Sequence, residues 1–146
     1  MKLIRAAIAL LSLASFGCGG IDPVPQCDVD GYVFYGLGSI TIDCLKAEKN
    51  VALARALAAQ HGIEGLPSNL AITVRDLDVV GPDGESGRYI FETQEIVLNR
   101  SGASLMHELV HAWQARNEVI DPDHSLWEPG LNSADALFKA RAFGME

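Results

Sequence analysis

Basic residues are scarce in this chain: 11 Lys and Arg stand against 19 Asp and Glu in 146 residues, a net charge of −8. A surface of that sign repels phosphate backbones. There is also no basic patch, no interleaving of basic and aromatic residues and no Gly-rich phosphate loop, so nucleic-acid binding is disfavoured. Cysteines number only three and form no CxxC pair, which leaves no cysteine zinc ribbon. The apolar run from Ala6 to Leu13 is too short for a permanent transmembrane helix, and no other candidate span appears. Internal repeats and low-complexity tracts are absent, and the length suits one domain.

What is present at the N-terminus has the pattern of an export signal. Lys2 and Arg5 give a positive start, the apolar run follows, and Ser15-Phe16-Gly17-Cys18 supplies small residues at the two key positions. Leu13 to Cys18 resembles a bacterial lipoprotein box, although Ser15 stands where Leu is usual. Residues 1–17 are therefore expected to be a signal peptide, with Cys18 lipidated and the product held in the cell envelope; the alternative is ordinary cleavage near Gly17 or Gly20 and a soluble secreted protein. In that reading the lipid on Cys18 is the sole membrane attachment. Lipidation of Cys18 leaves Cys27 and Cys44 as a pair that an oxidising compartment would bridge. Loss of Lys2 and Arg5 takes the net charge to about −10.

Residues 18–26 are small, polar or Gly/Pro and suit a flexible tether, so the folded body is expected over 27–146. Tyr32 to Tyr35 and then Ile40 and Ile42, on either side of Gly36-Leu37-Gly38, suggest two strands and a turn. Asp43 is placed to cap a helix over 44–60, whose buried stripe would be Leu53, Ala54, Leu57 and Ala58 and whose stop would be Gly62. Leu70, Ile72 and Val74 alternate as a strand does, Gly81 to Gly84 marks a loop, and 87–99 reads as a hairpin. A final helix is expected over 133–143, with Ala134, Leu137, Phe138 and Arg141 along one side. The order is that of an α+β domain, with a backing helix and a short mixed sheet.

Between hairpin and final helix lies His107-Glu108-Leu109-Val110-His111. Met106, Leu109, Val110 and Trp113 recur at helical spacing, which places a helix from about residue 103 to 116 or 117, capped by Ser101 or Ser104. On a helix, residues i and i+4 share a face, so His107 and His111 can reach one ion with Glu108 beside it. Chance alone would give this five-residue pattern in roughly one chain in 150 of this composition. The arrangement implies a hydrolase with one zinc ion, where the metal lowers the pKa of a water towards ~7 and Glu108 is the general base.

Catalytic zinc normally takes three protein ligands, so a third must come from elsewhere. A metzincin-type continuation is excluded, because Gln114 and Asn117 occupy the required Gly and His positions. A gluzincin-type continuation needs a Glu on the next helix, where 133–143 offers only Asp135. His124 is the preferred third ligand, with Glu128 and Asp135 as alternatives. Asp121, Asp123 or Asp135, if not a ligand, is suited to accept the second N–H of a ligating imidazole. Tyr89, Arg88 and Arg141 are candidates, by residue type, for stabilising an oxyanion.

The segments His107 to Trp113 and Asp123-His124-Ser125-Leu126-Trp127 together resemble the SprT-like zinc peptidases. That family pairs a helical HExxH with a later histidine, usually followed by Gly and, three positions on, by an aromatic residue. Trp127 fills the aromatic position, and Ser125 replaces the Gly. The resemblance runs from about Gly87 to Trp127 and implies a small zincin fold whose edge strand borders the cleft; a broader relation to minimal zincins fits equally. A role in DNA repair does not carry over, given the export signal and the acidic balance. The expected activity is hydrolysis of peptide bonds in a peptide or protein substrate. The competing expectation is a zinc-binding envelope lipoprotein or interaction module without chemistry, which would have no need of Glu108.

Overall fold

The computed structural model describes residues 24–76, 86–119, 121 and 123–146. The expected signal peptide, Cys18, most of the tether and the Gly81–Gly84 loop lie outside these residues. The described chain is an α+β domain with a five-stranded mixed sheet and three helices. In chain order these are β1 (Pro25–Val29), β2 (Tyr32–Gly36), α1 (Cys44–Ala59), β3 (Ala71–Val74), β4 (Gly87–Ile90), β5 (Glu95–Leu98), α2 (Leu105–Arg116) and α3 (Pro129–Arg141). No helix among the described residues is long and apolar enough to cross a membrane.

The first hairpin lies upstream of its expected position. Pro25 and Gln26, assigned to the tether from sequence, already belong to β1, and the turn is Asp30-Gly31 rather than Gly36 to Gly38. Both turn residues have positive φ, 52° and 85°, as a two-residue hairpin loop of matching twist requires. Ile40 and Ile42 alternate as a strand would because both are buried, yet neither pairs with a strand. Gln26 Oε1 accepts from the Ile42 N–H at 2.6 Å, and Gln26 Nε2 donates to the Ile40 carbonyl at 3.3 Å. Polar backbone groups are satisfied there without sheet pairing.

Strand order is β1-β2-β3-β5-β4, with β2, β3 and β5 parallel and the two outer pairs antiparallel. The register sets Cys27, Phe34, Ile72, Ile96 and Tyr89 in one row across the sheet. Phe34, Ile72 and Ile96 in that row are fully buried. α1 packs on β1 and on the other two helices, and α2 packs on β4 and β5. Cys27 on β1 and Cys44 at the start of α1 are joined by the expected disulfide, with Cα atoms 5.7 Å apart.

Asp43 caps α1 as expected, accepting from the N–H groups of Leu45 and Lys46 at 3.0 and 3.1 Å. Ser104 occupies the cap position of α2 without capping it, because its hydroxyl pairs with that of Ser86. α3 starts four residues earlier than expected. Pro129 stands in its first turn, where a missing N–H costs nothing. Its buried face is Leu131, Ala134, Asp135 and Phe138; of the expected side, Leu137 and Arg141 are exposed.

Candidate metal centre

The Nε2 atoms of His107, His111 and His124 converge. They lie 3.1 Å apart for His107–His111, 3.0 Å for His111–His124 and 2.9 Å for His107–His124. α2 supplies the first two rings, whose burial follows from the apolar face formed by Leu105, Met106, Leu109 and Val110 beside them. The third comes from the loop before α3, where His124 takes the left-handed conformation with φ 56°. Such backbone in a non-glycine residue is strained and is held only by surrounding contacts.

Those contacts come from Asp121. Its Oδ1 accepts from the Ser125 N–H at 2.8 Å and the Ser125 hydroxyl at 2.9 Å, and its Oδ2 accepts from the Leu126 N–H at 2.9 Å. Burial alone would raise this carboxyl, but the bonds from Leu126 and Ser125 outweigh it and hold the group below the usual carboxylate range. Trp127, itself buried, lays its ring against all three imidazoles, at centroid distances of 4.8 Å from His107, 5.7 Å from His111 and 5.0 Å from His124.

The far side of two rings fixes which nitrogen is free. His107 Nδ1 is 3.3 Å from Asp135 Oδ2, and His111 Nδ1 is 3.0 Å from Gln114 Oε1. Both partners are acceptors, so both Nδ1 atoms carry the proton and both Nε2 atoms present lone pairs to the common centre. Lys139 Nζ, 2.7 Å from the same Asp135 oxygen, joins the His107 N–H there. Burial would raise the Asp135 carboxyl, but its bonds to His107 and Lys139 hold it low. His111 is pushed down to about 4, first by burial and then by any charge on His107. His124 is lowered by the same two causes. Neutral imidazoles are what a metal ligates.

The three histidines lie close enough to hold a metal ion. The nitrogen triangle has its centre about 1.7 Å from each corner, inside the ~2.0–2.1 Å of a zinc–imidazole bond. An ion can therefore touch all three nitrogens from one side of their plane, with a further position open. The His107 and His111 lone pairs, 3.1 Å apart, repel each other, and a cation bound to both removes the repulsion.

Of the alternative ligands, Glu128 is engaged elsewhere, its Oε1 lying 3.4 Å from His61 Nδ1. Asp135 meets His107 at Nδ1, away from the centre. Glu108 is buried and lines the same cleft as the three histidines. The cleft, about 560 Å³, is bounded on its other side by β4 through Gly87, Arg88 and Tyr89. Gly87 permits this approach: a Cβ there would stand 2.8 Å from the Ser104 Cβ and 3.2 Å from the Glu108 Cγ. Among the oxyanion candidates, Arg88 and Tyr89 line the cleft and Arg141 does not.

Gln114, Lys139 and the ring contacts of Trp127 were given no role from sequence. Gln114 had a signal, since it sits three residues beyond His111 on the helix and can reach it. Lys139, one turn after Asp135, had one only once Asp135 was known to hold His107. Comparison with protein-family models, with curated proteins and with solved structures found no match to this chain.

Proposed function

We propose that the protein is a zinc-dependent peptidase of the HExxH type, related to the SprT-like or minimal zincins. The observation that carries this reading is the convergence of three Nε2 atoms in a cleft that also holds Glu108. Three imidazoles and a remaining open position suit zinc better than the harder, oxygen-preferring cations. When bound, zinc would supply Lewis acidity, polarising a peptide carbonyl and acidifying water.

The chain's own part follows from placement. Glu108 takes the proton of the attacking water and passes it to the leaving amine. Asp135 and Gln114 keep their imidazoles in the tautomer that leaves Nε2 available. Trp127 closes off the ring cluster. An extended peptide would add to β4, the edge strand beside the cleft, through backbone bonds that do not read sequence. The Cys27–Cys44 bridge supports an exported protein, and the proposed lipid anchor on Cys18 rests on the sequence pattern of residues 13–18.

The test uses the processed chain loaded with zinc and a reduced, denatured protein as substrate. Zinc content and cleavage are measured for the parent and for Glu108→Gln. Retained zinc with cleavage reduced by about 10²- to 10⁴-fold supports the peptidase. Zinc in both proteins with equal cleavage, or with none, favours a metal-binding module.

A further inference from the structure

Lys139 stands in the last turn of α3, where a lysine ordinarily serves the helix dipole and solvent. One turn back, at Asp135, it meets something else. Its Nζ lies 2.7 Å from Asp135 Oδ2, the oxygen that also takes the His107 Nδ1–H at 3.3 Å. The lysine side chain is 45 % exposed and the aspartate side chain 10 %, so the pair reaches from solvent inward to a ring of the metal centre.

Two donors therefore share one oxygen, and they share it unequally. Charge-assisted bonds from nitrogen to a carboxylate run at about 2.7–2.9 Å. The lysine has that distance and the imidazole does not. Asp135 Oδ1 is buried with no hydrogen-bond partner among the described residues, so both demands fall on Oδ2. The lysine charge is also felt deeper in the cluster. Burial and then His107 lower His124 most, and Lys139 adds to that lowering.

A carboxylate on the far nitrogen of a ligating imidazole raises the basicity of the ring, and with it the hold on the metal. A cation on the same carboxylate oxygen takes back part of that gain, because it offsets the negative charge that polarises the N–H. We infer that Lys139 is a positioning residue acting through Asp135: it holds the shared oxygen off His107 and keeps that ring a weaker donor, so that zinc is bound less tightly than the site would bind it without the lysine. A weaker donor set leaves the ion more electron-poor, which favours polarisation of a carbonyl. The inference rests on the metal reading and not on peptide cleavage. An i, i+4 ion pair that merely decorates the helix surface is the rival, and the burial of Asp135 and its contact with His107 speak against it.

The test uses the processed chain. Zinc affinity is read by competition with a chromophoric chelator, and the His107 Nδ1–H proton resonance is followed in zinc-loaded protein with isotope-labelled histidine. Lys139→Met should bind zinc about 3- to 10-fold tighter, and the resonance should move downfield as the bond to Asp135 shortens. Lys139→Arg, which keeps a cation, should stay near the parent in both. In an Asp135→Asn background the gain from Lys139→Met should shrink to less than about 2-fold. Unchanged affinity and resonance in Lys139→Met would leave a surface ion pair and overturn the inference. Weaker zinc binding would also overturn it, making Lys139 a support for Asp135 and not a competitor of His107. So would a gain undiminished in the Asp135→Asn background, since the charge would then act through space. A parent that takes up no zinc would bring down the metal reading and the inference together, whereas zinc bound without cleavage would remove the peptidase and leave the inference standing.

Discussion

Ser125 gives both of its donors to one oxygen of Asp121, the backbone N–H at 2.8 Å and the hydroxyl at 2.9 Å. With the Leu126 N–H on the other oxygen, this pins the turn that presents His124. Asp121→Ala removes three hydrogen bonds from a buried group and should weaken zinc binding by about 10- to 100-fold, measured by competition with a chromophoric chelator. Asp121→Asn, which keeps an acceptor oxygen, should recover part of the loss. Equal affinity in all three proteins would show that His124 is held by something else.

Asp135 and Gln114 each hold the second nitrogen of a ring on α2. Replacing either with Ala should lower zinc affinity by about 10- to 100-fold. Gln114→Glu, an acceptor of the same reach, should cost less than Gln114→Ala. Identical affinities for Gln114→Ala and the parent would remove Gln114 from the metal site.

Acid should destabilise the zinc-free protein in two stages. His111 is lowered to about 4 from an ordinary 6.5, and His124 is lowered too, so the unfolded chain takes up protons first as the pH drops. Stability present above pH 6.5 is then lost on the way down to about 4. Asp121 and Asp135 are lowered from 3.8, so their contribution is present above that value and is lost below it. Urea midpoints at pH 7, 5.5, 4 and 3 check this. A midpoint unchanged between pH 7 and 4 would contradict the buried, neutral state of His111.

The Cys27–Cys44 bridge lies at the β1 side of the sheet, and the metal centre borders β4 at the opposite edge. With a separation of 17 residues, the bridge should contribute about 3 kcal/mol in the chain-entropy model. The double variant Cys27→Ser, Cys44→Ser should unfold at lower temperature in calorimetry and still bind zinc with unchanged affinity. A fall in affinity would reveal coupling across the sheet.

The metal helix was legible because its chemistry and its burial share one period: His107 and His111 at i and i+4, beside the buried Met106, Leu109 and Val110. β3 and β5 were legible for a similar reason, their apolar residues alternating into a core. Residues 39–42 misled because alternation reports burial, not pairing, and the side chain of Gln26 replaced a strand partner. α3 begins before the expected residue 133 because the first turn of a helix accepts proline, here Pro129. His124 could be proposed from spacing, whereas its left-handed backbone depends on Asp121, a contact no local pattern announces.

β4 has no strand on its outer side among the described residues. A border able to receive an extended peptide is also able to receive the same border of another molecule, so the groove carries a risk of self-stacking. Arg88, exposed midway along that border, works against such stacking, because a charged side chain on an edge strand is costly to desolvate against a second copy. Its replacement by an apolar β-branched residue should leave the imidazole cluster intact and make the protein prone to associate at high concentration.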